Sequence, residues 1–337
     1  MAIPIIFIGI AAVTGATGIG KTIKAGFVQN KAKNINTVSD ELVKATAERL
    51  EYLRAECAEA LQSLGEEKVF VLNGSIRDFL NRFEQIKNVD FQESTEFMEF
   101  GKLHIDQKEF TDLNVMTNFA ASLSQGAVAG ATGGALTAFG AYSGAMMFAS
   151  ASTGTAISTL SGAAATNATL AWFGGGSLAA GGMGMAGGTA VLGGLVAGPA
   201  LLTMGIIVGA KAGKNLENAY VNEAKAKELC EEFDAGADQC IAIRRRTYMF
   251  YNLLARLDSY FVSLIFKMDG IIKNEGTDYS KYSIESRRVI AAAASLAVSV
   301  KAVLDTPILT EDGGVTEESK TVARSIEEVA EKMEKAF

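Results

Sequence analysis

The sequence predicts an all-α protein: an elongated helical bundle or coiled-coil hairpin that carries an uncharged, Gly- and Ala-rich helical hairpin. Two observations predict the helices. The 337 residues contain only three prolines, and apolar residues recur at helical spacing through the charged parts of the chain. A third observation predicts the separate hairpin, because residues 113–210 include no Asp, Glu, Lys or Arg.

Charge and periodicity divide the chain into five regions. Residues 1–30 form an apolar N-terminal segment with a basic flank, and residues 31–112 form amphipathic helices. Residues 113–210 form the uncharged, membrane-type hairpin. Residues 211–305 form long amphipathic helices, and residues 306–337 form a short hairpin and a C-terminal helix.

The first charged region contains two predicted helices. Apolar residues mark a heptad-like stripe on the first: Val43, Leu50, Leu53, Cys57, Leu61 and Leu64. Gly65 follows this stripe and is expected to end the helix. The second helix is predicted from about Ser75 to Phe100, and its apolar face comprises Ile76, Phe79, Leu80, Phe83 and Ile86.

The longest amphipathic stripe lies beyond the uncharged region. It comprises Leu229, Phe233, Cys240, Phe250, Leu254, Leu257, Phe261, Leu264, Met268 and Ile271. Gly236 marks a potential break in it. Because charged faces lie opposite such stripes, we expect the long helices to pack antiparallel. A further helix is predicted from Ile284 to Leu304, then a small hairpin turning at residues 312–314, and then a terminal helix after Thr316.

The uncharged region is only weakly hydrophobic, because it holds 21 of the 35 glycines and many Ala, Ser and Thr residues. Glycine clusters separate three candidate helices, at Phe119–Ser150, Thr155–Phe173 and Thr189–Ala210. The first is long enough to span a bilayer, which takes about 20 apolar residues. Trp172 is either an interfacial anchor or a core aromatic residue. Such a region suits a protein that hides it in a soluble form and inserts it later.

Glycines four residues apart recur in the uncharged region and share one helix face. The residues predicted to serve in packing and membrane insertion are Gly126, Gly130, Gly134, Gly140, Gly144, Trp172, Gly184, Gly188, Gly194, Gly198, Gly205 and Gly209. Glycine costs about 1 kcal/mol in an exposed helix interior, so repeated glycines on one stripe favour close helix packing as compensation. The alternative is that a glycine-rich composition produces these spacings by chance.

Residues 15–22 read GATGIGKT and match the phosphate-loop pattern. In that interpretation the backbone from Gly15 to Gly20 holds phosphates, Lys21 reaches the terminal phosphate and Thr22 binds magnesium. The downstream sequence lacks the alternating strands and the metal-binding acid that such a site needs. Residues 1–20 carry no charge and precede several lysines. This arrangement fits a membrane anchor and a helix buried in the bundle equally well.

Composition argues against several classes of protein. The net charge is −7 and no basic stretch is interleaved with aromatic residues, so no nucleic-acid partner is expected. Cys57, Cys230 and Cys240 lack a paired spacing and are expected to be buried thiols of a reducing compartment. His104, the single histidine, cannot build a zinc site or a catalytic array without other ligands. The chain is therefore expected to be non-enzymatic, without a metal or cofactor.

The glycine-rich run ATNATLAWFGGGSLAAGGMGMAGGTAVLGGLVAGPAL, at residues 165–201, lies between charged helical regions. This layout resembles the apolipoprotein L group, and it is similar to colicin-type and other glycine-zipper helical pore-forming proteins. In such families a sheltered hydrophobic hairpin is released into a bilayer. The resemblance implies that Phe119–Ser150 and Thr189–Ala210 are the inserting elements. The uncharged region is longer here than in those families, and the chain lacks an evident secretion signal.

The leading hypothesis is a membrane-active protein with a cytoplasmic soluble form. Its uncharged hairpin would associate with or insert into a lipid bilayer and assemble into a homo-oligomeric pore. Two alternatives stay open. One is a nucleotide-binding protein that uses residues 15–22 as a phosphate loop. The other is a soluble structural or interaction protein whose glycine-rich core is permanently buried.

Overall fold

The computed structural model describes residues 20–89, 107–125, 132–141, 216–310 and 314–336. Its α-helices are α1 (Gly20–Val71), α2 (Arg77–Phe83), α3 (Gln107–Gln125), α4 (Thr132–Ala141), α5 (Leu216–Glu275), α6 (Ile284–Asp305) and α7 (Glu317–Ala336). Within these ranges the extended structure amounts to two isolated bridges. The predicted all-α helical bundle is therefore confirmed.

The first helix does not end at Gly65, so that sequence prediction is wrong. Helix α1 continues to Val71, and a single π-helical turn, Leu72–Ile76, joins it to α2. A glycine inside a helix costs only about 1 kcal/mol, which a close contact can offset. The apolar face predicted for this stretch is largely confirmed, since Ile76 and Phe79 are fully buried.

Helix α5 also runs through its predicted break, because Gly236 lies in its interior. The residues of the predicted stripe are buried from Leu229 to Met268. Gly236 faces the Leu50 side chain of α1, and a Cβ added to it would lie 3.3 Å from a Leu50 methyl carbon. The apolar periodicity thus predicted the buried face correctly, while the glycine was a poor guide to the helix end.

The chain forms two units, and α1 and α5 contribute to both. The first unit comprises Met1–Glu48 and Leu202–Asp234. In it, Asn222 donates a hydrogen bond to Asn36, 186 positions away, and Thr46 donates to Cys230, 184 positions away. A nearly constant separation means that the two helices run parallel in this unit.

The second unit comprises Arg49–Leu201 and Ala235–Phe337. Here Glu56 of α1 pairs with Arg244 of α5, and farther along both segments Ser75, in the π-helical turn after α1, donates to Asp258 of α5. The contact positions advance together, so α1 and α5 are parallel in this unit too. The expected antiparallel packing is wrong for this helix pair. Residues 72–215, which include α2, α3 and α4, separate the two helices in sequence, and a connection of this length permits two long helices to run in the same direction.

Helix α6 forms the buried centre of the second unit. Every residue from Ile290 to Val300 is buried, as expected for a helix that is apolar on all sides. Its bounds, Ile284–Asp305, agree with the prediction of Ile284–Leu304. The Ser283 side chain accepts a hydrogen bond from the Ser286 amide and caps its N-terminus. Helices α3 and α7 pack against it.

The C-terminal hairpin and helix follow the prediction. Leu309 and Val315 form an antiparallel bridge, although the predicted turn at 312–313 lies outside the described residues. Helix α7 begins at Glu317, and the Thr316 hydroxyl accepts a hydrogen bond of 3.2 Å from the Ser319 amide. Arg256 of α5 pairs with two glutamates of α7, Glu327 and Glu334.

An aromatic cluster joins α2, α3 and α5. The ring of Phe79 lies 5.1 Å from that of Phe83, 5.8 Å from that of Phe110 and 5.2 Å from that of Phe261, measured between centroids. Aromatic contacts at such distances add about 0.5–1.5 kcal/mol each beyond surface burial. The cluster fixes the start of α3, which leads into the uncharged region.

The structure describes two pieces of the uncharged region, 113–125 in α3 and 132–141 in α4. Of the predicted span Phe119–Ser150, residues 119–125 belong to α3 and residues 132–141 form α4, and both parts are helical; the other residues of that span lie outside the described residues. Leu113, Met116 and Ala120 of α3 are almost completely buried. The predicted helices Thr155–Phe173 and Thr189–Ala210 lie outside the described residues. Among the helices that are described, none has both the length and the apolar character needed to cross a bilayer.

Candidate functional site

The candidate site is the place where α4 docks onto the charged helices of the second unit. Gly65 of α1 and Gly140 of α4 face each other there. A Cβ added to Gly65 would lie 1.9 Å from the Leu136 carbonyl oxygen, and one added to Gly140 would lie 1.9 Å from the Leu61 carbonyl oxygen. Both obstacles are backbone atoms, which cannot rotate away. The close approach of α1 and α4 therefore requires glycine on both helices.

Lys68 holds the C-terminal turn of α4. Its side chain is fully buried, its Nζ donates a hydrogen bond of 2.9 Å to the Phe139 carbonyl oxygen, and it lies 5.3 Å from the centroid of the Phe139 ring. Carbonyl groups in the last turn of a helix have no partner within the helix. A lysine there satisfies one of them and interacts favourably with the helix dipole.

The chain after α6 completes this docking. The amides of Ile308 and Leu309 both donate to the Ala141 carbonyl oxygen, at 2.8 and 3.1 Å. The end of α4 is therefore fixed by a side chain of α1 and by the backbone that follows α6. The chain continues from Ala141 into the rest of the uncharged region, so these contacts hold the residue at which that continuation starts.

A network of partly buried charges lies beside this docking point. Lys301 of α6 is near three carboxylates: Nζ is 2.6 Å from Asp305, 3.0 Å from Glu109 and 3.6 Å from Asp112. Only 12% of the Lys301 side chain is exposed. Burial alone would lower its pKa, but the hydrogen bonds and charges of Asp305 and Glu109 raise it above its usual range. Lys301 therefore stays charged and ties α3 to α6.

Asp305 connects this network to Lys68. Burial raises the pKa of the Asp305 carboxyl, while Lys301 and, more weakly, Lys68 counteract that rise. Burial also lowers the pKa of Lys68 to about 7, and the charge of Asp305 opposes this effect only in part. The pKa of Lys68 therefore lies near neutral pH, so its protonation state can change there.

We expect the stability of the second unit to rise with pH above neutrality because of Lys68. Its pKa is about 7 in the folded protein and about 10.4 in an unfolded chain, so the unfolded state binds more protons between these values. The free energy of unfolding must then increase as the pH rises through that window, by about 1.4 kcal/mol per unit of pKa difference.

Urea denaturation at pH 7 and pH 9.5 measures this dependence, with Lys68→Met as the comparison. The variant cannot titrate at this position, so its gain in stability over the window should be smaller than that of the wild type. Equal gains would mean that Lys68 does not titrate there. Lys301, Asp305, Glu109 and Asp112 surround the site in both proteins and so affect both measurements.

The predicted site residues fall in three groups. Gly140 lies in the helix contact described above, against a charged helix rather than another glycine-rich one, and Gly134 lies in α4. Gly20, Lys21 and Thr22 lie in α1. The others lie outside the described residues: Gly15, Gly126, Gly130, Gly144, Trp172, Gly184, Gly188, Gly194, Gly198, Gly205 and Gly209.

The sequence did not identify Gly65, Lys68 and Lys301 as residues of this site. For Lys68 the sequence held a signal of burial, because Lys68 lies four residues after Leu64 and so continues the apolar stripe of α1. A charged residue on such a stripe is either near its edge or buried with a partner. For Lys301, the preceding apolar run made a buried position plausible, but its acidic partners Glu109 and Asp112 are remote in sequence.

These features define the class of the protein as an all-α helical bundle in which charged helices enclose the start of an uncharged segment. Comparisons with known protein families, with curated proteins and with solved structures give no match. The arguments for its function therefore come from its own residues.

Proposed function

We propose that the protein is a conditional membrane-binding protein. The charged helices shelter the uncharged region in a cytoplasmic soluble form, and release of α4 from its docking site lets that region enter a bilayer. Oligomers would then assemble through its glycine stripes, and pore formation would be one consequence. The docking of α4 by Lys68 and Gly65 is the observation that carries this proposal.

The contacts that dock α4 favour its release. Gly65 and Gly140 have no side chains that could interlock. The neighbouring cation, Lys68, is fully buried and so loses its interactions with water. Buried charges are costly unless their interactions compensate for lost water. Protonation of Lys68 below about pH 7 therefore favours the undocked state relative to alkaline pH.

The composition of the uncharged region supports insertion. Its 98 residues contain no ionisable Asp, Glu, Lys or Arg, so entry into hydrocarbon does not require the burial of any such side chain. Its glycine and alanine residues contribute little to insertion energy in either direction. This balance suits a segment that exchanges between a protein core and a membrane.

Vesicle flotation tests the proposal. Purified protein is mixed with vesicles of neutral or anionic phospholipid at pH 8, 7 and 5.5, and dye release is followed in parallel. We expect the floated fraction to increase as the pH falls, since Lys68 becomes protonated and the net negative charge of the protein decreases. Lys68→Met should show a smaller change between pH 8 and pH 5.5.

The absence of flotation at every pH and lipid composition would overturn the membrane proposal. The protein would then be better described as a structural or interaction protein with a permanent glycine-rich core. Flotation without dye release would retain membrane binding and argue against a pore. These outcomes separate binding, insertion and conductance.

A phosphate loop is a second candidate function, favoured by the match of residues 15–22 to the phosphate-loop pattern. Lys21 and Thr22, the last two residues of that pattern, are helical and belong to α1, as they would in a phosphate loop. Titration with fluorescent ATP in the presence of Mg²⁺ tests this candidate. Saturable binding that Lys21→Ala abolishes would support it, and equal signals from both proteins would reject it.

A further inference from the structure

Two cysteines meet on the parallel helices α1 and α5 within the second unit. Leu50 lies against Gly236, and Glu56 forms an ion pair of 3.0 Å with Arg244. Cys57 and Cys240 lie in the same stretch of this helix pair, and their thiol groups form a hydrogen bond with each other. The register of the two helices, rather than sequence spacing, brings the sulfur atoms together.

We propose that Cys57 and Cys240 form a reversible intramolecular disulfide when the protein meets a hydroperoxide. This site goes beyond the proposed membrane function and does not depend on it. Both cysteines are free and buried in the reduced protein. The pair is thus a modification site whose product would be a covalent bond between α1 and α5.

The reaction balances with hydrogen peroxide as the oxidant. The Cys240 thiolate attacks one peroxide oxygen, the O–O bond breaks, and hydroxide leaves and takes up a proton to become water. Cys57 then attacks the sulfur of the resulting Cys240 sulfenic acid and forms the S–S bond. The sulfenic oxygen leaves as water with the Cys57 proton. The thiols together lose two electrons, and peroxide is reduced to two molecules of water.

The surroundings give the two cysteines different roles. The hydrogen bond from Cys57 and the charge of Arg54 lower the pKa of Cys240, although burial opposes them. The same hydrogen bond, together with burial, raises the pKa of Cys57. A thiolate is the nucleophile in such reactions. Cys240 is therefore the attacking residue and Cys57 the resolving one.

The third cysteine provides a matched control. Cys230 is 8% exposed, close to the 7% of Cys240, and also lies on α5. It accepts a hydrogen bond of 3.7 Å from the Thr46 hydroxyl, so its partner in the described part of the chain is a hydroxyl group rather than a second thiol. If exposure alone controlled oxidation, Cys230 and Cys240 would react at similar rates.

Intact-mass measurement on the full chain tests the proposal. The reduced protein is treated with hydrogen peroxide, the remaining thiols are alkylated under denaturing conditions, and peptides are mapped. We expect a loss of about 2 Da from two thiols becoming a disulfide, a cross-linked peptide pair containing Cys57 and Cys240, and full reversal by dithiothreitol. Cys230→Ala should give the same product.

Two further results complete the test. Cys57→Ala should leave a Cys240 sulfenic acid that dimedone captures, because the resolving thiol is missing. The proposal is overturned if wild-type Cys57 and Cys240 both stay alkylatable after peroxide treatment, or if Cys230 is oxidised as rapidly as Cys240. The wild-type measurement decides by itself, so the conclusion does not depend on whether the variant folds well.

Discussion

Gly65→Ala is expected to destabilise the protein by about 3 kcal/mol, near the upper end for overpacking of a buried contact. The new methyl group would lie 1.9 Å from the Leu136 carbonyl oxygen, so α1 and α4 must move apart. Alanine is the better helix former by about 1 kcal/mol. A net loss would therefore show that the helix contact outweighs helix propensity. Urea denaturation measures the difference.

Gly270→Ala is the matched control for this experiment. Gly270 lies inside α5, and no atom lies within 4 Å of an added Cβ. The substitution should stabilise the protein by about 0.5–1 kcal/mol through helix propensity alone. Gly140→Ala should resemble Gly65→Ala, and the two losses should not add, because both disrupt one contact. Similar behaviour of Gly65→Ala and Gly270→Ala would contradict the close approach of α1 and α4.

Lys301→Met should cost about 1–3 kcal/mol at neutral pH, between the range for exposed ion pairs and that for fully buried ones, because the network is partly buried. Glu109, Asp112 and Asp305 would remain near one another without the cation that now lies among them. The loss should shrink as the pH falls toward 5, because burial raises the pKa of Asp305 and its protonation removes part of the repulsion. Urea denaturation at both pH values measures this change.

Lys320→Met supplies the comparison for the charge network. Lys320 lies on α7 and pairs with Glu317 at 3.8 Å, with both side chains well exposed. Exposed pairs contribute about 0–1 kcal/mol, so this variant should be nearly as stable as the wild type at either pH. A Lys301→Met loss no larger than this one would mean that the network does not hold α3 against α6.

The sequence predicted correctly which faces of the helices are buried. It did not predict in which direction the helix packed against such a face runs. The stripe on α5 was correct from Leu229 to Met268, because burial of apolar side chains fixes the period of a helix face. A stripe carries no information on whether its partner runs parallel or antiparallel. The direction of α1 relative to α5 depends on the long connection between them, whose path the periodicity does not encode.

The candidate site was harder to predict for two physical reasons. Gly65 has the same local signature whether it ends a helix or permits a close contact, and only the position of Gly140 on another helix decides between them. Lys68 is buried and Lys301 is largely shielded, and both have partners from distant parts of the chain. Composition predicted that the uncharged region needs shelter, and this stays a prediction; it did not indicate which charged helix contacts α4.

Photolabelling from within the bilayer tests the central claim, that the uncharged region leaves the helical bundle for a membrane. Vesicles that carry a diazirine group deep in the acyl chain are mixed with the protein at pH 5.5 and pH 8 and illuminated. Trypsin then cuts after Lys108 and Lys211 but nowhere between them, because that stretch has no other Lys or Arg. One fragment thus contains the whole uncharged region. We predict that the label concentrates in this fragment at pH 5.5, whereas label confined to fragments of α1 and α5, or none at all, would contradict the account.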